Sequence, residues 1–298
     1  MSRRIEDFNQ SLSNSKLEPL YFDEFKNRDI EVFVKRDDLI HPFISGNKWR
    51  KLKHHLLKFQ ASKASSIVTY GGAYSNHLIA VACAGAMFGI KTHGVVRGDE
   101  LNKDSNLILK LCTQYGMELS FINRQEYKTQ KLTAGIDDHG AYHIAEGGAG
   151  SEGVKGCAEL VDELEELYDH IVLDVGTGTT YAGILQAVQE ANLDTVVDGV
   201  VVLKNGAYLV DEIATMLQSH DGINLHLDYH FGGFGKWDDA QIEFNQKFTS
   251  STGILVDPVY TGKLFRAVLH LASKEYFKPK SRILVIHTGG MTGVLSGS

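Results

Sequence analysis

"VLDVGTGTTYAG", residues 172–183, runs from apolar residues into glycines and then into small residues that suit a helix. With Ile171 in front, its first part reads as a buried strand, Ile171–Val175, rich in β-branched side chains. Gly176 and Gly178 break that strand, and a helix is expected over Gly183–Ala191. "VTYGGAYSNH" (68–77) and "LVIHTGG" (284–290) repeat the step from strand to glycine turn. Ligands of open α/β sheets sit at the carboxyl ends of strands, so the three turns are expected to share one site.

Working outward, the same reading predicts further strands at Val32–Lys35, Ile67–Tyr70, Thr92–Val96, Leu119–Ile122, Tyr142–Ala145, Gly199–Leu203, Leu225–His230 and Arg282–His287. Helices fall between them, among them Asn76–Phe88, Gly153–Leu167, Asp238–Phe248 and Lys263–Ser273. This alternation implies an α/β fold built on open parallel sheets. Residues 45–146 hold about four strands of their own. They are expected to form a smaller α/β domain inserted into a larger one (1–44 and 147–298), with the site in the cleft between the two.

The chain has 298 residues and a net charge of -7. An acidic balance argues against a nucleic-acid partner held by charge. The 3 cysteines include no CxxC pair and fit a reducing compartment. "MSRRIEDFNQ" has no apolar core for a signal peptide. The longest apolar run, Leu78–Ile90, is 13 residues, too short to span a bilayer. A protein of the cytoplasm, with no membrane partner, is the expectation.

The loop at 176–183 matches neither nucleotide fingerprint. G-x-G-x-x-G needs glycine where Tyr181 stands, and the Gly-Lys-Ser/Thr of a Walker loop is absent. Backbone amides from Gly176 to Thr180, the hydroxyls of Thr177, Thr179 and Thr180, and a helix start suit a phosphate monoester. The alternative is a tight turn without ligand.

"SGNKWRKL" (45–52) opens a helix capped by Ser45–Asn47. Arg50, Lys51 and Lys53 read as a solvated face. Lys48 stands in the first turn, where the helix dipole disfavours its charged form, and so is a candidate for an amine that works deprotonated. Such a lysine, a phosphate cup and glycine turns at strand ends together suggest pyridoxal 5′-phosphate.

"KRDDL" (35–39), "GNKWRKL" (46–52), "GGAYSNH" (71–77), "EGG" with "GVKG" (146–156), "DPVYTGK" (257–263) and "HTGG" (287–290) then occur in order. Together they resemble the D-cysteine desulfhydrase and 1-aminocyclopropane-1-carboxylate deaminase family, from about residue 17 to residue 290. The resemblance implies the tryptophan-synthase-β type of pyridoxal-phosphate fold (fold type II). It implies a small amino-acid substrate and, as the family expectation, a homodimer. Lys48 resembles the Schiff-base lysine. Ser75, Asn76 and His77 resemble the turn that holds the substrate carboxylate, with Asn76 also near the cofactor's 3′-oxygen. Gly176, Thr177, Gly178, Thr179 and Thr180 resemble the phosphate cup, Tyr260 the active-site tyrosine, and Thr288 the hydroxyl facing the pyridine nitrogen.

His77 and Thr261 stand where the deaminase branch has glutamine and glutamate, which favours D-cysteine elimination to pyruvate, ammonia and sulfide. With Thr261 facing the substrate, no carboxylate is expected to protonate the ring nitrogen, and a weaker electron sink suffices for a thiolate leaving group. Two departures stand out. Phe234 occupies the place of a second tyrosine, and "MTGVLSGS" reads as a shortened end. They add weight to a cofactor-binding protein with little catalysis; 1-aminocyclopropane-1-carboxylate deamination, with the same fold and cofactor, is the other alternative. No metal site is expected: His54 and His55 point to different faces, and Gly140 interrupts His139 and His143. Cys83 and Cys157 read as core thiols.

Overall fold

The structure, a computed structural model, describes residues 4–129, 140–290 and 292–295. His139 and its neighbours Asp137 and Asp138, which the pairing with His143 would involve, lie outside the described residues.

Strands β1 (Leu17–Leu20), β2 (Glu31–Lys35), β7 (His170–Val175), β8 (Val196–Val201), β9 (Asn224–His226) and β10 (Arg282–Ile286) form one sheet, in the order β1-β2-β10-β7-β8-β9. Strands β3 (Ser66–Gly72), β4 (Lys91–Arg97), β5 (Glu118–Ile122) and β6 (Ala141–Ile144) form a second, ordered β5-β4-β3-β6. Every neighbouring pair is parallel except β1 with β2. The α/β class with two parallel sheets is as expected. β10 lies between β2 and β7, with Ile286 opposite Lys35 and Val285 opposite Val172. That register sets the segments after these three strands side by side.

β1 is an addition to the sequence reading. Its Pro19 lacks an N–H, which an antiparallel edge strand tolerates and a central strand does not. β9 keeps only Leu225 and His226 of the six residues expected to be extended, and adds Asn224. The helix after the glycine turn starts at Thr179, four residues before Gly183. Among the described residues, no helix is long and apolar enough to cross a membrane.

The helix Asn76–Phe88 is buried along most of its length and packs with Trp49, Leu52 and Leu56 in the core of the four-stranded sheet. Ile5 and Phe8 join that core too, although they precede the first strand of the other sheet. The helix Ser151–Asp162 packs against both Asn47–Ala61 and Thr179–Glu190. Their approach explains "GVKG": a Cβ on Gly156 would fall 1.9 Å from the carbonyl oxygen of Arg50.

That packing overturns the solvated face expected for Arg50 and Lys51, since both are buried. Arg50 lies under the Ser151–Asp162 helix. It donates to both oxygens of Asp37 (Nε 2.5 Å, Nη2 2.8 Å) and to both of Glu163 (2.8 and 3.0 Å). Lys35 reaches Glu163 at 3.0 Å, and the Ser15 hydroxyl donates to Asp37 at 2.6 Å. Lys53, paired with Glu159 at 2.7 Å, is closer to the surface. "KRDDL" thus supplies the anion that receives the arginine of "GNKWRKL". Removing one partner of a buried pair leaves an uncompensated charge, at a cost of about 3–5 kcal/mol. We predict that Arg50→Met lowers the unfolding free energy in urea by about that amount. A loss below about 1 kcal/mol would give the pair no more weight than a surface ion pair.

Candidate active site

The carboxyl ends of the central strands open into one cavity of about 350 Å³. Of the residues named from the sequence, Lys48, Ser75, Asn76, His77, Gly176, Thr177, Gly178, Thr180, Tyr260 and Thr288 line it, and Phe234 stands at its edge. Thr179 and Thr261 are not on its wall.

Lys48 is positioned from behind. Gly46 precedes it with φ 59°, and a Cβ there would lie 1.7 Å from the Thr288 carbonyl oxygen, so only glycine fits. The Asn47 N–H donates to that same oxygen at 3.1 Å. Ser45 does not cap the helix; its hydroxyl oxygen instead accepts from the Gly290 N–H at 3.2 Å. The start of the lysine's helix is therefore fastened to the loop after β10. The Lys48 ammonium donates to Asn47 Oδ1 at 2.5 Å, and Asn47 Nδ2 donates to Thr180 at 3.1 Å. Burial, then the charge of Lys51, push the Lys48 pKa down to about 7 against the opposing pull of Asp174, Cys157 and Asp257. Lys51 shares the wall, donating to the Gly147 carbonyl at 3.2 Å, and burial lowers its pKa too.

Ser75 caps the Asn76–Phe88 helix by accepting from the N–H groups of His77 and Leu78, each at 3.2 Å. Its own proton stays available to a ligand. Asn76 accepts from the Thr292 N–H at 3.1 Å. Thr69 donates its hydroxyl proton to the Ile144 carbonyl (2.9 Å), so it can only accept from His77 Nε2 at 2.8 Å. His77 Nδ1 is therefore the bare nitrogen, buried and without a partner among the described residues. Burial, then the charges of Lys48 and Lys51, hold this ring neutral.

The loop after β7 runs into the Thr179–Glu190 helix, which no side chain caps. Thr177 lines the cavity and Thr179 lies behind it, with 3.3 Å between their hydroxyl oxygens. Thr179 is fully buried, so its hydroxyl cannot be part of the cup's surface.

Asp257 organises the turn that carries Tyr260. Its carboxylate accepts from the N–H groups of Val259 (3.0 Å), Tyr260 (3.2 Å) and Thr261 (2.8 Å), and from the Thr261 hydroxyl (2.9 Å). Thr261 is thereby turned inward and buried, which corrects its expected contact with substrate, while Tyr260 is presented to the cavity. Lys263, also fully buried, donates to the carbonyls of His230 (2.8 Å) and Gly233 (2.7 Å). It anchors the loop that carries Phe234, whose ring meets Tyr260 edge-on at 5.7 Å.

Sequence reasoning missed Asp174. It is buried on the cavity wall and accepts from the Thr288 hydroxyl at 2.6 Å. Burial raises its pKa to about 6. A carboxylate inside an apolar run, two residues before a glycine turn, was the signal available. Lys51 and Trp237 were also missed as wall residues. Among the described residues no group of side chains could hold a metal: His54 meets Glu159 and His55 meets Tyr142. Cys83, Cys112 and Cys157 are buried and free.

A family model for pyridoxal-phosphate dependent enzymes matches residues 14–289. A mitochondrial bifunctional D-cysteine desulfhydrase/1-aminocyclopropane-1-carboxylate deaminase of Arabidopsis thaliana is 30% identical over 297 residues, covering 89% of this chain and 73% of the relative. A D-cysteine desulfhydrase of Salmonella typhi is 28% identical over 284 residues, 87% of each chain. The crystal structure of an ACC deaminase homologue superposes with a TM-score of 0.80 at 27% identity, covering 99% of this chain and 97% of that one.

The low pKa of Lys48 gives a prediction with a sign. An amine reacts with an aldehyde when neutral, and a pKa of about 7 makes the neutral fraction roughly tenfold larger at pH 8 than at pH 6. Apoprotein mixed with pyridoxal phosphate and trapped with borohydride should carry its pyridoxyl group on Lys48, at initial rates that level off above pH 8. A label on another lysine, or a rate still climbing at pH 10, would contradict the assignment.

Proposed function

The chain belongs to the pyridoxal-phosphate dependent enzymes, and on that premise we propose that its cavity carries out β-elimination on a small amino acid, with D-cysteine preferred. The residues present fit the cofactor. The first N–H groups of the Thr179–Glu190 helix have no intrahelical acceptor and no capping side chain, which suits a phosphate dianion. Thr177 would add a hydroxyl donor and Lys51 positive charge. Lys48 would provide the amine, and Asn76 Nδ2, without a hydrogen-bond partner among the described residues, a donor for the ring oxygen. Bound there, pyridoxal phosphate supplies an aldehyde for amines and a ring that draws electrons from the neighbouring carbon.

The chain's own groups do the rest. The Ser75 hydroxyl and the Asn76 N–H would hold the substrate carboxylate. Lys48, poised near neutrality, would take the proton from the α-carbon and return one. A thiol with a pKa near 8.5 leaves as thiolate without help, whereas a carbon leaving group must be protonated. The observation that carries the preference for D-cysteine is Phe234, an apolar ring against Tyr260 where the resemblance leads to a second hydroxyl. With one water, D-cysteine yields pyruvate, ammonia and hydrogen sulfide. Deamination of 1-aminocyclopropane-1-carboxylate is the second reading. It is favoured by Asp174, a carboxylate in the cavity that the sequence reading did not expect. We also propose that the two sheets mark two folding units, with the segment around Ile5 and Phe8 belonging to the smaller one.

The test is release of pyruvate and 2-oxobutyrate from D-cysteine, L-cysteine, D-serine, β-chloro-D-alanine and 1-aminocyclopropane-1-carboxylate. Fastest pyruvate release from D-cysteine is expected; comparable 2-oxobutyrate from the cyclic substrate would favour the second reading. For the cup, Thr177→Val removes a charge-assisted hydrogen bond and should weaken cofactor binding roughly ten- to a hundredfold, while Thr179→Val should change it little. The reverse ranking, measured by titrating apoprotein, would move the phosphate off this wall.

A further inference from the structure

Asp174 and Asp257 both line the cavity, but they are not equivalent. Asp257 is engaged by the backbone and hydroxyl of the turn it organises. Asp174 has one hydrogen bond among the described residues, from the Thr288 hydroxyl at 2.6 Å. The two residues come from adjacent parallel strands: Asp174 from β7, and Thr288 just past β10.

A hydroxyl has a single proton. With that proton directed to Asp174, Thr288 can only accept from whatever lies on its other side. A pyridine nitrogen facing Thr288 would then have to be an N–H donor, which a neutral pyridine is not. Its positive charge would be balanced by the buried carboxylate one hydrogen bond away. We propose that Asp174, acting through Thr288, is a positioning residue that keeps the ring nitrogen of the bound cofactor protonated. This rests on the cofactor reading above and on Thr288 being the group that faces the ring nitrogen.

Asp174 then serves the nitrogen for which Thr261 alone leads to no carboxylate. The titratable groups that act on Asp174 are Asp257, Lys48 and His287, and Lys51 and Tyr260 interact with it as well. The proton comes from solvent when the cofactor binds and rests on the nitrogen; no bond to carbon changes.

The test uses holoenzyme loaded with pyridoxal phosphate carrying nitrogen-15 in the ring, read by nitrogen NMR at pH 8. Free cofactor titrated through its ring pKa supplies the protonated and neutral reference shifts. The wild type should resonate at the protonated reference. Asp174→Asn, close in shape, and Thr288→Val should move the resonance toward the neutral one. A wild-type signal at the neutral position overturns the inference even if neither variant folds. A protonated signal unchanged in folded Asp174→Asn overturns it as well. Borohydride labelling separates this from the underlying reading. A pyridoxyl group on Lys48 with a neutral ring nitrogen defeats only the role of Asp174, whereas absence of that label defeats the cofactor site itself.

Discussion

The buried guanidinium of Arg50, held between Asp37 and Glu163, is the interaction on which the site's geometry depends. Asp37 follows β2, Glu163 follows the Ser151–Asp162 helix, and Arg50 belongs to the helix that begins beside Lys48. Three segments distant in sequence are thus joined through one planar group. Desolvating such a cluster is costly, and fork geometry on two carboxylates is what offsets the cost. Lysine at position 50 would keep the charge but lose the four-bond geometry. Eight residues separate Asp37 from Gly46, which packs against the Thr288 carbonyl, so this stretch of chain is fixed at both ends. The Gly46 N–H donates to the Asp37 carbonyl at 2.9 Å.

The cavity's electrostatics follow from which charges are already engaged. Lys48, Lys51, Asp174 and Asp257 all line the cavity. Asp257 is held by hydrogen bonds from its own turn. Burial is the largest cause of the low Lys48 pKa, with Lys51 next. The helix start that first singled out Lys48 is a lesser matter than the enclosure around it. A neutral amine there needs no special base, because desolvation alone disfavours the ammonium.

Much of this was legible in the sequence. Central parallel strands are buried on both faces and read as apolar runs, so β7 and β10 were found nearly to the residue. The helix Asn76–Phe88 was found to the residue because its cap and its terminal glycine frame it. Directions of side chains were less legible. Lys51 and Arg50 read as solvated because a helical pattern shows a polar face but not the second helix packed over it. Thr261 reads as a cavity residue because it stands where the deaminase branch has glutamate, in the turn that also carries Tyr260. The hydrogen bonds to Asp257 that turn one in and the other out appear only once the chain is folded. Asp174 was overlooked as one acid within a strand, and its meaning depends on a hydroxyl 114 residues away.

Thr288 joins these threads. Its carbonyl oxygen receives the Asn47 N–H and lies where Gly46 would otherwise carry a side chain. Its hydroxyl meets Asp174. One residue therefore sets the position of the amine through its backbone and the direction of a proton through its side chain. A change in the β10 turn would disturb both together, whereas Asp174→Asn leaves the backbone contact in place and alters only the charge. Position and proton are separable in this fold because they reach the site from opposite ends of the same residue.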